Sequence, residues 1–395
     1  VRANRAAIVA VLAAASLAYL LLRLIAYNKL SDMPFHAMMA ATAVQLGVPF
    51  AHPMFFAVAA ALAGWTRDWR AILDVIPPLL TLAFAVSMSQ SIWMVRRHAG
   101  VGANRDYSAT QRWFQWGLIA SVVAVFFSFS LPTSSIYLGQ FPPMVWHNST
   151  ITFMTPFAIG LFLLSQRFVE MPTMRAASWI MLALTLCALA KPSFAMSWIP
   201  AFPIFVLLRT RAMRPVLIAA ALSAYAAVLV GLQSLYLFSG TARNLYDVAE
   251  KQVGFPIGAG RVHWDPFAVW TAFTPLPWLS VIASTFLVIV GLGVYRLRLL
   301  RSPLFQLAGI LYLFGLSIFA LLAMDGPTFK YGDLIWQMIP ITLIIFLSVV
   351  AQVWREINRQ GRASGGDLIV FAALGVHVLA FVNYMHHYMV TGTYG

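Results

Sequence analysis

The sequence predicts an all-α polytopic membrane protein: a bundle of about 11–13 transmembrane helices, with re-entrant or juxtamembrane helices after the first span. Three observations predict it. Of 395 residues, 61% are hydrophobic and 10% charged, with a mean hydropathy of +0.81. A soluble chain carries roughly a quarter charged residues to coat its surface. The apolar residues run in blocks near the ~20 residues that an α-helix needs to cross a bilayer, not in the ~10-residue alternating segments of a β-barrel. The net charge of +14 sits in short basic clusters between the blocks, the pattern of cytoplasmic anchoring rather than of a nucleic-acid groove.

The first block, Ala6 to Ala26, follows Arg2 and Arg5 like a signal sequence, but it lacks a small-residue cleavage site and reads as an uncleaved span. Further blocks begin near Ala71, Trp113, Asn148, Ala176, Phe194, Pro215, Phe267, Pro303, Leu334 and Leu368, eleven spans in all. The apolar stretch from Pro34 to Trp65 is broken by Gly47, Pro49 and Pro53, so it reads as two juxtamembrane or re-entrant pieces. Cys187 is the only cysteine and lies in an apolar run, which excludes an internal disulfide and a thiolate cluster. No fixed-period repeat is visible. Residues 1–395 form a single transmembrane domain without a separate soluble domain.

With this assignment 17 of the 26 Lys and Arg residues fall on one side, from Arg2 and Arg5 through Arg96, Arg97, Arg167 and Arg209 to Arg355, Arg359 and Arg362. That side is expected to be cytoplasmic. The other side holds eight, among them Lys29, Lys191, Arg243, Arg261 and Lys330, while Arg23 lies inside the first span. The outer loops, over residues 27–66, 131–147, 239–266 and 325–333, collect most of the interspersed Gly, Pro, His and Asn, and are expected to form the site.

Five segments there bear chemistry. In Lys29-Leu30-Ser31-Asp32-Met33-Pro34-Phe35-His36, Asp32 directly follows the first span and is placed to accept a proton from a hydroxyl nucleophile; the structural alternative is an N-cap before Pro34. His36 shares its helical face. In Trp146-His147-Asn148-Ser149-Thr150, four hydrogen-bonding side chains open a span after an aromatic that suits the membrane interface. Such groups fit hydroxyl-rich or phosphate ligands, and helix capping by Asn148 or Ser149 is the alternative. In Ala190-Lys191-Pro192, a lysine at a broken helical hairpin suits an anion, against snorkelling to lipid phosphate. Arg243 and Arg261, the latter in Gly258-Ala259-Gly260-Arg261, are cations on a loop that turns glycine-rich. Asp325, Lys330 and Asp333 share a short turn suited to sugar hydroxyls or a cation, or simply solvated. The adjacent His386 and His387 cannot share one helical face, which argues against a metal pair.

One outer acid right after the first span, a juxtamembrane apolar segment behind it, many further spans and cationic outer loops together resemble the membrane glycosyltransferases of the GT-C fold. The resemblance implies a transferase (hexosyl or pentosyl) that takes a sugar from a polyprenyl-phosphate donor and passes it to an acceptor glycan or lipid-linked glycan. It implies a site on the periplasmic face of the bacterial inner membrane. By resemblance Asp32 matches the family's catalytic aspartate, although Met33 stands where a second acid is common. No large outer domain follows the last span. The Lys191-Pro192 element looks like one seen in some polyprenyl-linked transferases. Lys191, Arg243, Arg261 and Lys330 would then hold the donor phosphate, and His36, Trp146, His147, Asn148, Asp325 and Asp333 the acceptor or sugar. The expected partners are the lipid-linked donor, the acceptor and membrane lipids, with no nucleic acid. No cofactor is implied with certainty, and a divalent cation is left open. The other class is a multi-span lipid or solute transporter or flippase, which favours ionisable groups at the membrane midplane. An outer-leaflet acyl- or phospho-transferase centred on His147 is a third.

Overall fold

The structure, a computed structural model, describes residues 2–27, 31–50, 52–100, 109–133, 139–237, 262–324 and 333–392. Its long helices are α1 (Arg2–Ala26), α2 (Asp32–Leu46), α3 (Pro53–Leu62), α4 (Trp69–His98), α5 (Ala109–Phe126), α6 (Ser149–Glu170), α7 (Met174–Ala190), α8 (Ser193–Thr210) and α9 (Met213–Leu237). After them come α10 (Ala268–Phe273), α11 (Pro277–Tyr295), α12 (Leu297–Leu300), α13 (Pro303–Leu321), α14 (Met338–Gln360) and α15 (Gly365–Thr391). Among the described residues, nine helices are long and apolar enough to cross a membrane: α1, α4, α6, α8, α9, α11, α13, α14 and α15. The chain is therefore an all-α polytopic membrane protein. Of the eleven expected spans, those at Trp113 and Ala176 fall in α5 and α7, whose described apolar stretches, Trp113–Phe126 and Met174–Ala190, are shorter.

Two expected span starts move inward along the chain. The block at Phe267 first makes the short α10, and the span begins only at Pro277, the first residue of α11. Pro275 and Pro277 enforce the break, since neither supplies an N–H to continue the preceding helix. The block at Leu334 opens with a 3₁₀ turn over Asp333–Ile335, and α14 starts at Met338. Buried Gln337 stitches this entrance: its amide donates to the carbonyls of Gly315 and Leu334.

The stretch from Pro34 to Trp65 forms the two separate helices α2 and α3. Gly47 ends α2 in the left-handed region at φ 63°, and Pro53 opens α3, which is how the breakers in the sequence act.

Helix α14 is the axis of the bundle, with 94% of its most apolar window buried. Its neighbours close in where they carry no side chain: a Cβ built on Gly117 of α5 would lie 2.6 Å from the Trp354 ring, and one on Gly291 of α11 would lie 2.8 Å from Val349. Small residues at such crossings let apolar helices pack by dispersion alone.

The polar contacts report the two ends of α4, which runs the length of the bundle. At one end Arg23, the arginine inside the first span, pairs with Asp74 at 3.3 Å, and Tyr27 bonds to the same carboxylate. At the other end Arg97 pairs with Glu170 at 2.5 Å, and Arg298 and Arg359 converge on Glu356 at 3.4 and 2.7 Å. Among the described residues Arg97, Arg298 and Arg359 carry the ion pairs of this second end.

Of the stretch read as outer loop 131–147, residues 139–147 are buried rather than a surface loop. Phe129, Phe141, Met144, Val145 and Trp146 are all at most 2% exposed. The Phe129 N–H donates to the His377 carbonyl of α15, the Leu131 N–H to the Ala283 carbonyl of α11, and the Phe141 N–H to the Ser284 hydroxyl. Irregular backbone inside a membrane protein survives only where protein satisfies its polar groups, and these helices do so. His377, which the sequence reading did not single out, clamps the segment: its ring Nδ1 bonds to the Phe129 carbonyl at 2.6 Å and its Nε2 accepts from the Leu287 N–H at 3.3 Å.

A two-stranded antiparallel sheet joins β1 (Val262–Trp264) to β2 (Leu322–Met324), with Val262 opposite Met324. The chain neighbours of this pair are Arg261 and Asp325, both outside the described residues.

Candidate functional site

Helix α2 begins because the Ser31 hydroxyl accepts from the Met33 N–H at 3.2 Å. The cap is therefore Ser31, not Asp32, which stands at the first helical position with its carboxylate released for other contacts. Pro34 falls in the first turn, where a missing N–H costs no helical bond. Helix α6 begins because Asn148 Oδ1 accepts from the Ile151 N–H at 3.1 Å. The capping alternative for Asn148 is thus correct, but it uses only the oxygen of the amide. The nitrogen, Nδ2, donates to Asp32 Oδ2 at 2.8 Å.

From this amide the polar contacts continue. The Thr150 hydroxyl donates to Asn148 Oδ1 at 2.9 Å, and Lys191 Nζ donates to Thr150 Oγ1 at 3.0 Å. Asp32, Asn148, Thr150 and Lys191 form one hydrogen-bonded chain across α2, α6 and the α7–α8 junction. Lys191 is 8% exposed. It leaves α7 in extended backbone, and Pro192 redirects the chain into α8. Its ammonium lies 4.9 Å from the centroid of the Trp336 ring, a cation–π contact from the α14 entrance.

Histidines surround this chain. His36 Nδ1 bonds to the Ser149 hydroxyl, and its ring packs edge-on against Phe55 and Phe56 of α3. His147 is 3% exposed, 3.4 Å by Nδ1 from the Tyr384 hydroxyl, and edge-on to Trp336. His52, at the start of α3, stacks on Phe56, and its Nδ1 is buried without a hydrogen-bond partner among the described residues. Burial pushes His147 and His52 down to about 3, and His36 well below the usual imidazole range, with the nearby Lys191 charge adding to each. All three rings are neutral at pH 7, and those of His36 and His147 make hydrogen bonds. The positive charge of the cluster, among the described residues, is that of Lys191.

The structure therefore gathers Asp32, His36, His147, Asn148 and Lys191, drawn from three separate sequence segments. Trp146 does not occupy the expected membrane interface: it is 1% exposed and packs among Phe84, Phe127 and Phe381. Arg243, Arg261, Asp325 and Lys330 lie outside the described residues, as does the side chain of Asp333. Thr150, His52, Trp336 and Tyr384 join the cluster without having been chosen as ligands. Thr150 stood in a segment already singled out and His52 in the broken stretch from Pro34 to Trp65, whereas Trp336 opens the span expected from Leu334 and Tyr384 lies in an apolar span with no local signal. Among the described residues no group of three metal-ligating side chains is present. Comparisons of the chain with protein-family models, curated proteins and solved structures give no match.

Proposed function

We propose that this chain is a GT-C-type glycosyltransferase that moves a sugar from a polyprenyl-phosphate donor to an acceptor hydroxyl of a glycan or lipid-linked glycan, in the bacterial inner membrane and on the face opposite its arginine-rich end. The observation that carries the reading is the Asp32–Asn148–Thr150–Lys191 chain. It holds a carboxylate and an ammonium, 159 residues apart in sequence, at one helix-end cluster. Such a pair supplies the two charges that a glycosyl displacement requires.

In the proposed reaction the acceptor oxygen attacks the anomeric carbon while its proton passes to Asp32. The bond from the anomeric carbon to the phosphate oxygen breaks, and its electron pair leaves with the lipid phosphate. Lys191 offsets the charge that develops there. Asn148 orients the base, and the neutral histidines offer hydrogen bonds to hydroxyls without adding charge. One displacement inverts the anomeric configuration. Arg243, Arg261 and Lys330 remain proposed as further phosphate ligands, and Asp325 and Asp333 as sugar ligands.

The test is to incubate the purified chain with a panel of labelled polyprenyl-phosphate sugars and lipid-linked acceptors. Transfer by the parent chain is expected to fall by about 10²-fold or more in Asp32→Asn, the magnitude of a lost general base, with the unfolding midpoint kept. Full transfer by folded Asp32→Asn removes Asp32 from the mechanism. Uptake of a lipid-linked substrate across vesicles without turnover replaces the transferase reading with the transporter.

A further inference from the structure

A cleft of about 580 Å³ opens at the arginine-rich end, the opposite end of the bundle from the Asp32 cluster. Its volume falls within the ~300–1,000 Å³ usual for small-molecule sites. It lies between the last turns of α4 and α6, the start of α13 and the last turns of α14, and Arg97, Arg355 and Arg359 line it with Glu170 as the lining acid.

Each arginine stands differently. Arg97 is held by Glu170 and lies over the Trp93 ring, 5.4 Å from its centroid. Arg359 is turned to Glu356. No ion pair among the described residues involves Arg355, which is exposed and faces the same cleft. With Arg97 paired to Glu170, and Glu356 shared between Arg359 and Arg298, the charge of Arg355 leaves the cleft positive. The polar amides beside them are already committed, Asn358 donating to the Ala99 carbonyl and Gln166 to that of Pro303. The unmet demand is for an anion rather than for a neutral polar group.

The other wall is apolar. Trp93 is 51% exposed and stands one and a half turns before the end of α4, about 7.5 Å inward at 1.5 Å per residue. Leu163, half-buried, and Leu304, buried, line the cleft beside it. A site with guanidinium groups at the helix ends and a half-exposed indole just below them matches an amphiphile lying along the bundle, its acid group up and its chains down. A free inorganic anion would have no use for the apolar wall.

We propose that this cleft binds the phosphate headgroup of an anionic phospholipid of the adjoining leaflet, with Arg355 and Arg97 as its principal ligands. Glu170 competes for Arg97 and so weakens the site. The proposal concerns the opposite end of the molecule from the transferase reading and stands whether or not that reading holds.

Native mass spectrometry of the full chain, equilibrated with equal amounts of phosphatidylglycerol and phosphatidylcholine, reads the preference directly. The parent is expected to retain phosphatidylglycerol preferentially. The double variant Arg97→Gln/Arg355→Ala is expected to lose that preference by about tenfold, or about 1.4 kcal/mol. Arg355→Lys should keep most of it, and Glu170→Gln should strengthen it. Both arginines are exposed, and an unchanged unfolding midpoint in zwitterionic detergent certifies the variants as folded. Equal retention of the two lipids by the parent overturns the proposal, as does a preference that survives in the double variant. Displacement of the lipid by inorganic phosphate at constant ionic strength also overturns it, by assigning the site to a soluble anion.

Discussion

Asn148 uses both ends of one amide, and the two uses separate by substitution. Its oxygen caps α6 and its nitrogen holds Asp32. Asn148→Ala removes both and is expected to cost about 1 kcal/mol, the usual worth of a cap, together with most of the proposed transfer activity. Asn148→Asp keeps a capping oxygen but sets an acceptor against the Asp32 carboxylate. Transfer should therefore fall as far as in the alanine variant although the cap is kept. Full transfer by folded Asn148→Asp would reduce Asn148 to a cap. His147 adds a pH signature. Its folded-state value near 3 lies below the ~6.5 of an unfolded histidine, so between those values the unfolded chain binds a proton that the folded chain refuses. Its contribution to stability is complete above about pH 6.5 and is lost as pH falls towards 3, at most about 1.4 kcal/mol per pH unit. Unfolding midpoints between pH 7.5 and 5 should drop less in His147→Asn than in the parent; an identical drop assigns the pH dependence to other groups.

Helices meet α14 through glycines whose surroundings differ, and the sign of a glycine-to-alanine change follows from that difference. A methyl on Gly117 meets the Trp354 ring, and one on Gly291 meets the branched Val349. Both substitutions overpack a buried crossing and are expected to cost about 1–3 kcal/mol. Gly309 of α13 has nothing within 4 Å of the same position, so Gly309→Ala is expected to stabilise by about 0.5–1 kcal/mol through helix propensity alone. Unfolding midpoints of the three variants in one detergent check the sign, and a stabilised Gly117→Ala would mean that the α5–α14 crossing is looser than described. Periodicity and breakers made many elements legible: the separation of α2 from α3 follows from Gly47 and Pro53, whereas the span of α11 was expected from Phe267 and starts at Pro277, because the apolar run continues across Pro275 and Pro277. The buried course of residues 127–130 and 139–147 was not legible, because its Pro, Gly and Ser content reads as a loop whether water or protein satisfies the backbone. What satisfies it is His377, Ala283 and Ser284, more than a hundred residues away in sequence.

At the scale of the whole molecule the two ends carry different chemistry, arginine-rich at one and mixed at the other, and net basic excess is what fixes orientation during insertion. The site residues were legible singly as hydrogen-bonding or charged side chains at span ends. Their meeting was not, since only the packing of α6 against α2 and α7 brings Asn148 between Asp32 and Lys191. That packing has a sidedness consequence: residues between α3 and α4 must face the same compartment as Asp32, and residues between α6 and α7 the opposite one. The single native thiol, Cys187, is buried and silent towards a bulky reagent, so engineered cysteines can be read without first removing it. Arg67 and Met171, both exposed, mark the two ends. In intact cells a membrane-impermeant maleimide is expected to label Arg67→Cys and to reach Met171→Cys only after permeabilisation. The reverse pattern would put Asp32 in the cytosol, where soluble nucleotide sugars are at hand and a lipid-borne donor loses its physical rationale. Labelling of both from one side would break the alternation of the spans itself.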